Sequence, residues 1–289
     1  WLVNCAGLYS AEISSMLGID GYVIRGFKGE YIVLDKKAGE FINMPVYPAP
    51  NENGGFATHA IPTIDGNVLI GPDSYVTEDF DDFSNRKVQM DGLEEDGLKM
   101  FKHTKREYFI RNFAGIRAKR IEPDTGQVID FICEARDEAP NTINYVGIES
   151  PGLTGALPLA RRGVALMAEK EDLKPNPHFN PIRKAIPKFS ELSFEEQQKL
   201  VEENPDYGEI ICRCENVTKA EILAAIKNPL GTCTLSSVKN RTRATMGRCQ
   251  GGYCQMRITD MIEEEIGKKE TDIRLSGKDS YMFTGKVRN

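Results

Sequence analysis

The sequence predicts an α+β chain, in which a unit built on a mixed or antiparallel sheet is followed by a small all-α module. Three observations carry this. Between Gly21 and Gly71 short β-rich runs are punctuated by proline, glycine and the Asp65-Gly66 hairpin signal. Residues 142–148 form an apolar strand that passes through a loop with Gly152 and Gly155 straight into a helix at about 156–170. From residue 208 the pattern changes to apolar-striped helices around two tight cysteine pairs.

In chain order, Trp1-Leu2-Val3-Asn4-Cys5-Ala6-Gly7 reads as a buried strand ending in a turn of small residues, and residues 10–17 as a helix stopped by Gly18. Such a turn is first of all a packing corner, and it is also where a nucleotide cofactor can approach the backbone. Residues 30–34 and 67–70 are β-rich strands, a helical pattern spans about 93–109, and strands follow near 112–117 and 127–133. The loop of Gly152 and Gly155 is an ordinary strand–helix connection on spacing alone. Its glycines permit close approach, and the helix behind presents a positive dipole end suited to negative charge. Residues 171–208 carry Pro175, Pro177, Pro181 and Pro187 as a semi-rigid connector, in which Ser193-Phe194-Glu195-Glu196 is a capping box for a short helix closed by Pro205. Thr218 and Glu221 cap a helix with Ile222, Leu223 and Ile226 on one face. Thr234 opens another helix, and Ile258, Met261, Ile262 and Ile266 line the last, which Gly267 ends.

A chain of 289 residues suffices for two ordinary cores, and 40% hydrophobic with 28% charged residues is the composition of a soluble globular protein. The net charge of −6 argues against nucleic acid as a partner, because phosphate binding needs a basic surface. No apolar run reaches the roughly 18 residues of a membrane span. Free thiols without any mark of secretion point to a reducing cytoplasm.

The most informative stretch is Cys212-Arg213-Cys214 with Cys249-Gln250-Gly251-Gly252-Tyr253-Cys254. In an extended segment residues i and i+2 point the same way, so Cys212 and Cys214 can face one metal together. Gly251-Gly252 lets the second pair turn tightly. Cys254 is expected in the first turn of a helix, where N–H groups and the dipole stabilise a thiolate. Lys239, Arg241, Arg243 and Arg248 would offset the charge of an anionic centre. A structural zinc also takes four thiolates, although its usual spacing is C-x2-4-C, and disulfides are a third reading. Cys233, outside both pairs, reads as a packed thiol.

Residues 208–267 resemble the bacterioferritin-associated ferredoxin family in Ile211-Cys212-Arg213-Cys214-Glu215 and in the run from Thr242 through Met246-Gly247-Arg248 to Cys254. The resemblance implies a [2Fe–2S] cluster held by Cys212, Cys214, Cys249 and Cys254. Residues 1–170 resemble the D-amino-acid-oxidase-like flavoprotein superfamily, and within it FAD-dependent glycerol-3-phosphate dehydrogenases. The matching segments are Val3-Asn4-Cys5-Ala6-Gly7, Lys28-Gly29-Glu30-Tyr31, Asp65-Gly66-Asn67 with the residues up to Pro72, Ala114-Gly115-Ile116-Arg117 and Ser150-Pro151-Gly152-Leu153-Thr154. This implies FAD touched by the turn at Ala6 and Gly7 and bordered by Pro151, Gly152, Leu153 and Thr154, with Arg117 facing the substrate. On the same basis residues 1–20 and 119–170 are a remnant of the FAD-binding domain and 21–118 the substrate-binding domain. Residues 171–207 become a linker, 208–267 the ferredoxin-like domain and 268–289 a polar tail.

The two resemblances together imply oxidation of a small anionic polyol, glycerol 3-phosphate, to dihydroxyacetone phosphate, with electrons leaving through the cluster. Arg117 is the expected anion-binding cation, with Lys28 and Arg25 behind it. His59 is a base or hydrogen-bond donor, although a lone histidine in a glycine-rich loop more often packs or faces solvent. An electron-acceptor subunit at the inner face of the membrane is implied as well. The alternatives are a flavin oxidoreductase for L-2-hydroxyglutarate or an amino acid, and a non-catalytic iron–sulfur scaffold. The family opens with a G-x-G-x-x-G turn that cradles the FAD pyrophosphate, and no such turn occurs in this sequence. The chain is therefore expected to be the C-terminal part of a longer protein, unable by itself to hold FAD tightly and inactive alone.

Overall fold

The computed structural model describes residues 1–49, 58–231, 234–277 and 279–285. They fall into two compact units, Trp1–Pro175 and Asn176–Asn289. Cys233 lies outside the described residues.

The first unit runs β1 (Leu2–Asn4), α1 (Ser10–Met16), β2 (Val23–Leu34), α2 (Lys36–Gly39), β3 (His59–Pro62), β4 (Val68–Gly71), β5 (Tyr75–Thr77), α3 (Lys87–Met100), β6 (Phe109–Ile121), β7 (Val128–Ile129), β8 (Ile132–Arg136), β9 (Ala139–Val146) and α4 (Ala156–Ala168). Its larger sheet is antiparallel, in the order β3-β4-β2-β6-β7, with β5 also paired to β2. The spine is β2 against β6, in register from Val23 opposite Ile121 to Val33 opposite Arg111, with a shift that then sets Leu34 opposite Phe109. Side chains alternate along a strand, so Ile32 and Leu34 share one face with Ile70 and Val68 opposite them on β4. These four are buried with Ala60 against Leu93 of α3, each aliphatic contributing about 1.5–3 kcal/mol. The smaller sheet is mixed, β1 lying parallel and β8 antiparallel to β9. Helix α4 covers it through Ile143, Tyr145 and Leu166. A Cβ at Gly163 would stand 2.1 Å from the Tyr145 hydroxyl, so only glycine lets α4 close on β9.

Three expectations change here. The helix placed at 93–109 lies at Lys87–Met100, because Phe101 turns extended and a short 3-10 turn leads into β6. The domain boundary at 118/119 falls inside β6, which continues to Ile121 and pairs with β7. Lys28, expected near the substrate, points to the face opposite Phe27 and is fully buried, its ammonium 2.9 Å from Asp82. Beside it Glu30 accepts from the Tyr75 hydroxyl at 2.6 Å, the Asn85 amide at 3.0 Å and the Arg86 N–H at 3.0 Å. Lys28 and Glu30 thus fasten residues 73–86 onto β2.

The second unit contains α5 (Phe194–Glu203), β10 (Ile210–Cys212), β11 (Val217–Thr218), α6 (Lys219–Ile226), α7 (Leu235–Thr242) and α8 (Gln255–Ile266). The predicted capping boxes are present at Ser193/Glu196 and Thr218/Glu221. One short antiparallel ribbon, β10–β11, interrupts the helices. The core joins Ile211, Val217, Ile222, Leu235, Val238, Ile258 and Ile262 with Cys212 and Cys254. The described residues beyond 267 do not form a loose tail. Ile273 is fully buried, Met282 packs on the core, and Arg274 bridges to Thr234 and Tyr281. The connector also takes part, Ile186 packing on this core and Phe189 donating its N–H to Glu221 at 3.4 Å. No helix among the described residues is long and apolar enough to cross a membrane.

Candidate functional site

On the face of the larger sheet turned away from α3, the cross-strand pairs are Tyr31 with Phe113, Gly29 with Gly115, Phe27 with Arg117 and Arg25 with Lys119. Tyr31 and Phe113 stack at 5.1 Å between ring centroids. Gly115 leaves bare backbone between that aromatic pair and the cations, while Pro72 and the Asp73 carbonyl close over Gly29. Above it opens a cleft of about 910 Å³ lined by Tyr31, Tyr47, His59, Ser74, Arg117 and Lys119, among others. The His59 ring stacks on Tyr47 at 4.6 Å. Arg117 donates from Nε to the Phe27 carbonyl at 3.5 Å, and from Nη2 to the Asp73 carbonyl at 3.4 Å and Ser74 Oγ at 2.9 Å. Those contacts hold the guanidinium in place and use neither N–H of Nη1. Burial pushes the Tyr31 phenol up, and the nearby Arg117 charge opposes that shift.

A second pocket, of about 620 Å³, is lined by Gly7, Leu8, Ile116, Arg117, Ala118 and residues 148–154. Arg117, Ile116 and Ser150 line both, so the guanidinium stands where the pockets meet. Asn4 shapes the near wall. Its amide donates to the Ser10 carbonyl at 2.8 Å and Ser14 Oγ at 3.0 Å, while its own oxygen accepts the Ala6 N–H at 3.2 Å. Gly7 sits at φ +59°, and a Cβ there would meet nothing within 4 Å, so the turn faces open space. On the far wall Leu153 is 95% exposed, and α4 begins at Ala156 with no side chain capping its N-terminus. An open glycine turn, an uncovered apolar side chain and an uncapped helix end fit the edge of a flavin ring, whose reduced form is anionic. Pro151, Gly152, Leu153 and Thr154 therefore lie together with Gly7 as predicted, whereas Ala6 does not itself line the pocket.

Of the residues predicted from the sequence, Arg117 and His59 line this cleft, which also holds Tyr31, Tyr47, Ser74 and Lys119, not singled out beforehand. Lys119 was legible, since it follows Arg117 by two residues and so shares its face. It forms an ion pair with Glu149 at 3.0 Å, just ahead of the Ser150–Pro151 step. Arg25 instead pairs with Glu78 at 4.0 Å, outside the cleft lining. An apolar pocket of about 530 Å³ between β1, β9 and α4, lined by Val3, Ile143, Leu159 and Val164, offers little for polar chemistry.

In the second unit the thiols fall into two pairs, each taking one cysteine from either motif, so the expectation that Cys212 and Cys214 face one metal together is corrected: Cys212 is buried and Cys214 exposed. Cys214 Sγ is 3.6 Å from Cys249 Sγ, and the buried Cys212 and Cys254 lie together in the core. Among the described residues no group of three or more His, Cys, Asp or Glu side chains is gathered to clasp one ion. Two thiols per pair suit a binuclear centre, in which each iron takes two thiolates. The surrounding loop is strained to shape. Arg243, Thr245 and Gln250 have positive φ, a costly conformation for residues other than glycine. A Cβ at Gly247 would stand 2.1 Å from Cys214 Cβ, so the two motifs approach each other through that glycine. Arg243 clamps the same gap, its Nε 3.1 Å from Glu215.

The thiols are not electrostatically alike. Cys249 is held below the usual thiol range by the Tyr253 N–H first, then by Cys214 and the N–H groups of Gly251 and Gly252. Cys254 is pushed up to about 11, chiefly by burial and then by Cys212, and the Thr245 N–H only partly offsets this. The expectation that the helix end would favour the Cys254 thiolate is thus corrected: Cys254 is the N-cap of α8 but fully buried, and the N–H cradle serves Cys249. A tetrathiolate site with converging N–H donors and flanking arginines fits an anionic iron–sulfur centre.

The two regions have the features of a flavin-edge pocket and of an iron–sulfur thiol site. The chain belongs to the FAD dependent oxidoreductase family, which it matches over residues 1–166, and residues 210–264 match the BFD-like [2Fe-2S] binding domain. Glycerol 3-phosphate dehydrogenase of Caloramator mitchellensis is 39% identical over an alignment covering 100% of this chain and 59% of that protein. Anaerobic glycerol-3-phosphate dehydrogenase subunit A1 of Haloferax volcanii is 25% identical, over 98% of this chain and 51% of its own length. The solved structure of dithionite-reduced L-alpha-glycerophosphate oxidase from Mycoplasma pneumoniae with FAD bound superposes with a TM-score of 0.52 at 26% identity. That superposition covers 60% of this chain and 44% of the oxidase. The chain spans only part of each of these relatives.

Proposed function

We propose that this chain supplies the substrate face and the electron relay of an FAD-dependent dehydrogenase that oxidises glycerol 3-phosphate to dihydroxyacetone phosphate. The observation that carries the reading is Arg117 at the junction of the flavin-edge pocket and the polar cleft. FAD, when bound, accepts a hydride, and the [2Fe–2S] centre passes electrons on singly. Arg117 is already aimed by Ser74 and Asp73, so its Nη1 edge binds the phosphate at little entropic cost. The bare backbone at Gly115 gives a three-carbon polyol room on the sheet, and the Tyr31–Phe113 stack shields it from water at one end. His59, its ring plane set by Tyr47, takes the proton of the alcohol. Cys212, Cys214, Cys249 and Cys254 hold the cluster. The names of the relatives support the substrate, and the subunit status of the haloarchaeal relative supports an acceptor subunit, which we place peripherally at the inner face of the membrane.

An arginine takes a carboxylate as readily as a phosphate, so the substrate needs a direct test. Anaerobic addition of glycerol 3-phosphate to the FAD-loaded full-length protein is expected to bleach the flavin, while L-2-hydroxyglutarate and amino acids leave it oxidised. Bleaching by L-2-hydroxyglutarate alone would sink the proposal. Full-length protein that never takes up FAD would favour an iron–sulfur scaffold.

A further inference from the structure

We propose that the exposed edge of the thiol site is a docking face for an acidic one-electron carrier protein. This rests on the iron–sulfur reading and adds the chemistry of the partner. Cys212 and Cys254 are buried in the core, whereas Cys214 and Cys249 are exposed. A group held by all four therefore reaches solvent along the Cys214–Cys249 side, and an electron leaves most directly there. Arg213 and Arg248 adjoin Cys214 and Cys249 in the chain and are exposed, and of the residues beside Cys254, Tyr253 is 41% and Met256 48% exposed.

The charge of this rim departs from that of the chain. Residues 239–257 hold Lys239, Arg241, Arg243, Arg248 and Arg257 and no Asp or Glu, in a chain of net charge −6. Arg243 and Arg257 are paired with Glu215 and Glu209. Arg213 and Arg248 form no ion pair among the described residues, and the Arg213 guanidinium lies over the Tyr253 ring at 4.2 Å. Offsetting the charge of the cluster would require cations but no exposed tyrosine and methionine beside them. Arg, Tyr and Met together are instead residues enriched in protein interfaces. Two unpaired arginines at the lip select a partner whose redox group is rimmed by carboxylates, and they steer it in. In the transfer, one electron leaves the reduced centre and one ferric haem becomes ferrous, with no proton or atom moving.

The probes are two haem carriers of opposite charge, carboxylate-rimmed cytochrome b5 and lysine-rimmed cytochrome c, titrated calorimetrically into the iron- and sulfide-loaded chain at low and high salt. Cytochrome b5 is expected to bind at low salt and to weaken about tenfold or more at physiological ionic strength, and cytochrome c not to bind. The double variant Arg213→Gln, Arg248→Gln should lose about tenfold in low-salt affinity for cytochrome b5, and the rate at which the reduced centre reduces ferric haem should fall with it. Binding of cytochrome b5 that is absent, indifferent to salt or unchanged in the double variant would overturn the proposal. So would a variant whose midpoint potential moves while its binding stays, since the arginines would then serve the cluster alone. Release of the variant from anionic-lipid vesicles, with cytochrome b5 binding untouched, would assign the face to a membrane instead. If the wild-type chain loads no iron and sulfide, the cluster reading itself fails, and this proposal with it.

Discussion

The thiol site of the second unit takes its ligands from two loops, residues 212–214 and 249–254, and sinks two of the four into the core. The cleft of the first unit gathers Gly29, Tyr31, His59, Ser74, Arg117 and Ser150 from separate strands and loops, on the sheet face opposite its core. The difference concerns what a mutation can do. At the thiol site binding and folding share residues, so chemistry cannot be removed at the buried ligands without touching stability. In the cleft the side chains that face the ligand carry little of the packing, and function can be lost from a chain that still folds.

The largest effect expected from this contrast is at Cys254. Cys254→Ser should abolish iron and acid-labile sulfide and also destabilise the second unit by about 1–3 kcal/mol, because a hydroxyl replaces a fully buried thiol. Cys249→Ser, at an exposed ligand, should lose the cluster while the melting temperature of the metal-free chain stays within about 2 °C of the wild type. Equal losses of stability in the two variants would break the comparison.

Next comes Arg117. In FAD-loaded protein Arg117→Ala should lower kcat/KM for glycerol 3-phosphate by roughly two to three orders of magnitude, mostly through KM, with iron content and melting temperature unchanged. Partial recovery in Arg117→Lys would separate charge from bidentate geometry. An unchanged KM would remove Arg117 from the substrate.

Two alanine substitutions sharpen the contrast further. Gly247→Ala must displace Cys214 and should cost about 1–3 kcal/mol together with cluster occupancy. Gly115→Ala meets nothing within 4 Å, so its stability should change by about 0.5 kcal/mol or less while KM rises. Thermal melts beside steady-state kinetics decide both.

The smallest effect is a pH dependence confined to the first unit. The Asp82 carboxyl is held well below the usual carboxylate range by the Ser84 hydroxyl first and then by Lys28. Its contribution to stability is therefore complete above its unfolded pKa, about 4, and is lost as pH falls through the lower folded value. Melting temperature below about pH 4 should fall more steeply in the native chain than in Asp82→Asn, which has no carboxyl there to protonate. Parallel slopes would show that the Lys28–Asp82 pair has no part in acid stability.

The local features of the chain were legible because each is set by near neighbours. The two capping boxes, the strand–loop–helix around Gly152 and the helix that starts after Cys254 follow from spacing and turn chemistry. The errors were non-local. The helix expected at 93–109 ends early where β6 recruits Phe109 as the partner of Leu34. The polar-looking residues after Gly267 fold back because Ile273 finds a place in the core. Lys28 matched a substrate cation by its position in a motif, yet period-two alternation turns it towards Asp82.

The order of the cysteines, glycines and caps was enough by itself to point to a four-thiolate metal site, since that depends on residues a few positions apart, whereas the loop around Gly152 read on spacing alone as an ordinary strand–helix connection and took its flavin-edge reading from the resemblance. Only the tertiary structure decided that Arg117 stands between two pockets, that Cys249 rather than Cys254 receives the N–H cradle, and that Lys28 faces inward. Each of these depends on which segment covers a given face of a strand or helix. Burial and the facing of charges arise between parts of the chain that are distant in sequence, and no local pattern encodes them.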